Sequence, residues 1–253
     1  MHRFAIAPDH IRDQRVTFDR EETHHLARVL RLGPGDLVLA TDGRGHEYTV
    51  RIETLGASAT GAILEIVQRS RESPLAVTLV QAVPKGNKME AIIRAATELG
   101  VTRIVAALTA RTVVTREEDR WRERARRWQR VAREAAKQCG RAVLPQVVGP
   151  VSLPHALEAE EHTQLRICLW EGEQRPFDEV LRGAPRAPGS IAMVVGPEGG
   201  LSLDEVEHAR DRGWAIAGLG PRILRTETAS LVALVVIQMT FGDLVSATKT
   251  SPK

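Results

Sequence analysis

Between residues 77 and 219 the chain repeats a pattern that few architectures accommodate. Apolar runs of strand length occur at 77–83, 103–108, 166–170, 191–195 and 214–219, with helix-patterned segments between most of them. Runs without polar alternation read as strands buried on both faces, and strands alternating with helices build a mostly parallel sheet covered on both sides. Two of the helices carry their own punctuation. From Lys88 onward, Met89, Ile92, Ile93, Ala96 and Leu99 share one face and Gly100 supplies a left-handed stop, while Ser202 and Glu205 form a capping box in a helix closed by Gly213. Residues 229–241 are nearly all apolar but too few to span a membrane, and Ser230, Gln238 and Thr240 interrupt them. They read as a helix buried in a core or an interface.

The first seventy residues follow another rule. Segments 36–41, 46–55 and 60–67 are rich in β-forming residues and are separated by turn residues at 42–45 and 56–58, which suggests a small β-barrel. Only 21–31 looks helical there. The polar, proline-containing segment 70–74 marks a boundary, so the expected domains are 1–70 and 74–246, followed by a polar tail at 247–253. A chain of 253 residues has room for two such cores.

Cys139 and Cys168 are far apart and lack ligand-spaced partners, which argues against a disulfide framework or a zinc site. The amino-terminal stretch has no signal-peptide core, no membrane span is expected, and a reducing cytoplasm fits. Net charge is only +3, but between Arg116 and Arg141 ten basic residues face five acidic ones. Trp121, Ala125, Trp128, Ala132, Ala135 and Cys139 recur there at helical spacing, giving a buried stripe and a basic face. Such a face suits a polyanion, and equally suits ordinary solvated ion pairs.

Neither the dinucleotide nor the phosphate-loop glycine signature occurs, nor do the serine-hydrolase elbow and the zinc-protease helix. His24 and His25 are adjacent, so on a helix they point apart and make a poor metal pair. More chemistry sits in two glycine-rich stretches. Gly196, Pro197, Glu198, Gly199 and Gly200 leave an apolar run with little side chain in the way, so a flat ligand could lie against backbone amides; a simple strand-to-helix turn would look the same. The second stretch leaves the next strand through Gly218, Leu219, Gly220 and Pro221. It continues through Arg222, Ile223, Leu224 and Arg225, and Thr226, Glu227 and Thr228 begin a helix with capping residues. Arginines beside glycines at the carboxyl edge of such a sheet point to a ligand site.

In order and spacing, these pieces resemble the bacterial 16S ribosomal RNA uridine-N3 methyltransferases, the RsmE family of the SPOUT superfamily. The resemblance rests on His2-Arg3-Phe4, His24-His25-Leu26, Val29-Leu30-Arg31, Gly35-Asp36, Lys85-Gly86 through Met89-Glu90, and Ala96 to Val101. It continues through Trp128-Gln129-Arg130, Glu134 to Ala136, Gln138 to Arg141, and the two glycine-rich stretches. It implies an amino-terminal PUA-like barrel for RNA and a mostly parallel α/β domain with a carboxy-terminal trefoil knot. It also implies a homodimer, S-adenosylmethionine as methyl donor, S-adenosylhomocysteine as product, no metal, and 16S rRNA of the small ribosomal subunit as partner. The cofactor is then expected on Leu169, Trp170 and Glu171, on Gly196, Pro197, Glu198, Gly199 and Gly200, and on Leu219, Gly220, Pro221, Ile223, Leu224, Arg225, Thr226 and Thr228. Two positions depart from the family: Leu201 stands where a large aromatic is common, and Ala95 where a lysine is common.

Uracil N3 becomes nucleophilic only as its proton leaves and negative charge spreads to the ring oxygens. Arg225, or Arg222 if orientations differ, is the expected preorganised cation, and Glu227, Glu198 or water the proton acceptor. RNA phosphates are expected at Arg3, His25, Arg31, Lys85, Arg126 and Arg130. Two other readings stay open on the sequence alone, a non-catalytic ribosomal-RNA-binding module and a related methyltransferase acting on transfer RNA.

Overall fold

A computed structural model describes residues 1–67, 71–112, 118–184 and 188–244. The chain forms two compact units. One comprises Met1–Glu72 together with Arg133–Leu144, the other Ser73–Ala132 and Pro145–Lys253. Ser70 at the expected boundary, Arg116 and Glu117 of the basic segment, and the tail at 247–253 lie outside the described residues.

The first unit is built from β1 (Arg3–Ala5), β2 (Ile11–Arg12), β3 (Arg15–Thr17), α1 (Arg20–His24), β4 (Leu37–Thr41), β5 (Glu47–Thr54) and β6 (Thr60–Val67). These strands form one sheet in the order β1-β4-β5-β6-β3-β2, with only β1 and β4 parallel. Phe4, Val16, Phe18, Leu26, Val38, Ala40, Val50 and Ile52 gather in a single core within it. The helix expected at 21–31 is shorter and changes pitch. After α1 the hydrogen bonding widens to i→i+5, from Leu30 N to His25 O, and Arg31 ends it at φ +56°. Strands β1 to β3 escape sequence reading because two or three residues are too few to show alternation.

The second unit alternates strands and helices: β7 (Ala76–Ala82), α2 (Lys88–Glu98), β8 (Arg103–Leu108), α3 (Glu118–Cys139), β9 (Gln146–Ser152) and α4 (Leu153–Glu158). It continues with β10 (Leu165–Leu169), α5 (Phe177–Arg182), β11 (Ser190–Val195), α6 (Leu203–Asp211), β12 (Ala215–Ala217) and α7 (Thr226–Phe241). All six strands are parallel, in the order β12-β10-β11-β7-β8-β9. Edge strand β9 went unread because Gly149 and Pro150 sit inside it; proline has no N–H to give and is tolerated at a sheet edge. Val80, Val105, Leu153, Leu157, Val194, Leu201, Val206 and Trp214 pack together in its core. Leu201 is thus a core residue.

Helix α3 serves both units. Trp121, Trp128 and Ala132 bury its stripe in the second, whereas its last turns belong to the first. There Arg133 donates to the Ala5 carbonyl at 2.6 Å, and the Lys137 ammonium lies 2.9 Å from the buried carboxylate of Glu22.

Ser230, Gln238 and Thr240, the polar residues that interrupt the apolar run of α7, all have partners. Gln238 accepts from the Ser73 hydroxyl at 2.8 Å and donates to the Leu99 carbonyl at 2.9 Å, and the Thr240 hydroxyl donates back to Val236 at 2.7 Å. Ser230 donates to the side chain of Gln81, which is fully buried in β7 and donates in turn to the Thr226 hydroxyl at 2.9 Å. A buried hydroxyl stripped of such a partner is expensive. Gln81→Leu is therefore expected to lower the urea midpoint of the second unit by the equivalent of about 1–3 kcal/mol.

Candidate active site

The carboxyl ends of three strands in the second unit feed three loops that meet around a cavity of about 410 Å³. Leu169, Trp170 and Glu171 leave β10, Gly196, Pro197, Glu198 and Gly200 leave β11, and Gly218 to Thr226 leave β12. Parallel strands place their exit loops on one edge, so segments separated in sequence become neighbours there. Small-molecule sites commonly enclose about 300–1,000 Å³, so this one suits a ligand of nucleoside size.

Two glycines are required by geometry. A Cβ on Gly218 would stand 2.4 Å from the Glu173 carbonyl oxygen, closer than any side chain tolerates. Gly200 lies at φ +71° with the Glu171 carboxylate against its Cα.

Three carbonyls and the carboxylate of the β11 loop have partners. The Gly196 carbonyl accepts from the Thr226 hydroxyl at 2.6 Å, the Pro197 carbonyl from the Gly200 N–H at 2.9 Å, and the Gly199 carbonyl from the Arg111 guanidinium at 2.6 Å. The Glu198 carboxylate accepts from the Lys85 N–H at 3.1 Å and pairs with the Lys88 ammonium at 2.9 Å. Lys88 also approaches Glu227 at 3.5 Å, joining α2, the β11 loop and α7. Burial pushes the Glu198 carboxyl up, but bonds from Lys88 and backbone amides outweigh it and hold the group below its ordinary 4.5. Its carboxylate partners raise Lys88 in return.

Thr226 does not cap its helix as expected. Arg225 occupies the N-cap position, where its donor-only guanidinium makes no side-chain cap bond, and the Thr226 hydroxyl is committed to Gly196 while its oxygen accepts from Gln81. Arg225 and Arg222 both line the cavity, are exposed, and have no ion-pair partner among the described residues. A cation at the positive end of a helix dipole is unfavourable there, so packing gives no reason for Arg225. An anionic or polarised ligand does.

Among the residues expected to meet cofactor or substrate, Gly199, Glu227 and Thr228 do not line the cavity. Gly199 and Thr228 are exposed, and Glu227 faces Lys88. Lys88, Val195, Gly218 and Ala229 line it without having been assigned a role. Lys88 carried a sequence signal through its place in the Lys85–Glu90 motif, and Gly218 through the second glycine-rich stretch.

The residues expected to meet RNA divide between the units. In the first, Arg3 pairs with Glu47 at 3.2 Å, His25 is half-buried with its ring 5.8 Å from that of Phe4, and Arg31 is exposed. In the second, Lys85, Arg126 and Arg130 are exposed. The basic segment is more compensated than its own acids suggest: Arg127 pairs with Glu90 at 2.8 Å, Arg133 with Asp19 at 3.2 Å and Glu22 at 3.3 Å, and Arg141 with Glu72 at 2.7 Å. These partners come from other elements, so counting charge along the helix missed them. Cys168 is buried in β10, and burial pushes its thiol up to about 12. No group of three or more metal-ligating side chains comes together, and no helix is long and apolar enough to cross a membrane, among the described residues.

Comparison with known proteins gives a consistent picture. The family model for an RNA methyltransferase domain matches residues 71–238, and that for an RNA methyltransferase PUA domain matches 18–59. The chain is similar to the ribosomal RNA small subunit methyltransferase E of Synechocystis sp., with 37% identity over 93% of this chain and 77% of that protein. The protein of the same name from Bacillus subtilis is 33% identical over 86% of this chain and 87% of its own length. A crystal structure of ribosomal RNA small subunit methyltransferase E from Neisseria gonorrhoeae, bound to S-adenosyl methionine, superposes with a TM-score of 0.85. It is 31% identical and covers 96% of this chain and 99% of that one.

The charge network around Glu198 predicts an acid response. A carboxyl held below 4.5 in the folded state stabilises it above that pH, and the contribution is lost as pH falls through the lowered value. Between neutrality and about pH 3.5, Glu198→Gln is expected to lose less thermal stability than the parent chain, as differential scanning calorimetry at matched ionic strength will measure.

Proposed function

This chain belongs to the RNA methyltransferase family that includes the small-subunit ribosomal RNA methyltransferases E, and from that premise we propose that it methylates N3 of a uridine in 16S rRNA. The observation that carries the proposal is the cavity itself, where three glycine-rich or apolar loops converge beside two cations that packing leaves unexplained. The site fits S-adenosylmethionine: Gly218 and Gly200 let the loops that form the cradle pack against Glu173 and Glu171, and Leu169, Leu219, Ile223 and Leu224 give it apolar walls. Bound there, the cofactor supplies an already activated sulfonium methyl group.

What the chain must add is alignment and charge control. Arg225, with Arg222 beside it in the same loop, neutralises the negative charge that grows on the uracil oxygens as N3 loses its proton. Preorganised donors in such roles are worth about 2.7–4 kcal/mol each. Glu198 lines the cavity and Glu227 does not, which favours Glu198 as the group that receives the proton, directly or through water. Its pairing with Lys88 keeps it ionised at neutral pH.

The PUA-like unit is assigned to holding the ribosomal RNA, in the cytoplasm, with Arg3, His25 and Arg31 contributing from that unit and Lys85, Arg126 and Arg130 from the other. The deep trefoil knot and the homodimer belong to the same proposal. An outward apolar strip on α7 supports the dimer: Val232 and Met239 are two turns apart and exposed, Met239 by 55%.

Methylated N3 cannot pair, so reverse transcription of small-subunit rRNA from a strain lacking the gene should read through one uridine at which wild-type RNA stops. Single-turnover methylation should fall about a hundredfold or more in Arg225→Ala at saturating cofactor, with Arg225→Lys recovering part of it. Near-normal turnover in both variants sinks the assigned role. If all six assigned residues meet phosphates, rRNA affinity should drop about a thousandfold between roughly 50 and 200 mM salt, and a flat response contradicts the assignment.

A further inference from the structure

The loop that leaves β11 is held by a residue that does not line the cavity. Arg111 lies just past β8 in a tight turn, where the Thr112 N–H donates to the Thr109 carbonyl at 3.0 Å and the two threonine hydroxyls meet at 2.7 Å. The turn is tied to α6 as well. Glu205 accepts from the Ala110 N–H at 2.8 Å with one carboxylate oxygen and from the Ser202 N–H at 2.9 Å with the other. From this braced base one guanidinium N–H of Arg111 reaches the Gly199 carbonyl at 2.6 Å, and the Arg111 stem lies so close that a Cβ on Gly199 would be 3.5 Å from it.

The peptide plane turns that contact into a constraint. A trans peptide points its carbonyl and the following N–H in opposite directions, so holding the Gly199 oxygen aims the Gly200 N–H the other way. There it closes the turn on the Pro197 carbonyl at 2.9 Å. Arg111 thereby pins the middle of a loop whose start is pinned by Thr226. Its guanidinium is exposed, with no carboxylate partner among the described residues and donors to spare beyond the one given to Gly199.

We propose that Arg111 is a positioning residue that couples the two ligands, holding the Gly196–Gly200 loop for the cofactor with one N–H and meeting a phosphate of the RNA substrate with the others. Resting on the methyltransferase reading, it adds a direction of regulation. RNA that engages Arg111 restrains the guanidinium already bonded to Gly199, so RNA tightens cofactor binding, and by linkage the cofactor tightens RNA binding by the same factor. A phosphate suits the fork of an arginine better than the point charge of a lysine.

Calorimetric titration of the full-length chain with S-adenosylhomocysteine, with and without a small-subunit rRNA fragment, tests this in wild type, Arg111→Met and Arg111→Lys. The wild type is expected to bind several-fold more tightly with RNA present. Arg111→Met should bind the nucleoside about tenfold more weakly and lose the RNA effect, the scale of one charged hydrogen bond. Arg111→Lys should keep a reduced RNA effect, a graded rescue that simple damage to the turn does not produce. If Arg111→Met matches wild type within about twofold in both conditions, or if RNA leaves the wild-type affinity unchanged, the inference is overturned. A wild type that binds no S-adenosylhomocysteine at all would instead sink the methyltransferase reading.

Discussion

One hydroxyl group organises the cavity. The Thr226 side chain donates to the Gly196 carbonyl at 2.6 Å and accepts from Gln81 at 2.9 Å, so a strand in the middle of the sheet, the β11 loop and the first turn of α7 share a single atom. Gln81 is fully buried and Thr226 nearly so, which makes each bond costly to break and each geometry hard to vary. Arg225 inherits its position from this arrangement. Because the neighbouring Thr226 faces inward, the Arg225 backbone starts the helix and its guanidinium is left on the cavity side.

Charge is distributed by function as much as by number. In the first unit Glu22 sits buried with Arg133 and Lys137 around it and accepts the Ala5 N–H, so those cations close the return of α3 onto the strands. Removing either cation would leave that buried charge less fully compensated, and residues 133–144 group with that unit. In the second unit Lys88 and Arg111 are each tied to the β11 loop, while Arg222 and Arg225 have no ion-pair partner among the described residues. Arginines of one composition thus divide into those that brace and those that wait for a ligand.

Much of the architecture was legible because its signals are local. Strands buried on both faces announce themselves as unbroken apolar runs, and the capping box at Ser202 and Glu205 and the left-handed stop at Gly100 are in the structure where the residues suggested. Elements whose signal is weaker than their context were missed. Strands β1, β2 and β3 are too short to show a period, β9 carries a glycine and a proline, and the helix at 21–31 widens its pitch partway along. The site was legible to the same degree. Its glycines and arginines stand in two compact stretches, but Lys88 and Arg111 touch the loop only because the start of α2 and the turn after β8 lie beside it.

By itself, the sequence determined the long strands and the capped helices of the second unit and which loops are stripped of side chains, because these depend on periodicity and on residues a few positions apart. Tertiary structure decided which loops meet, that Thr226 serves Gly196 and Gln81 instead of its own helix, and which of many arginines are spent on carboxylates. Those outcomes depend on pairs such as Gln81 and Thr226, 145 residues apart, or Arg111 and Gly199, 88 apart, whose approach only the assembled sheet enforces.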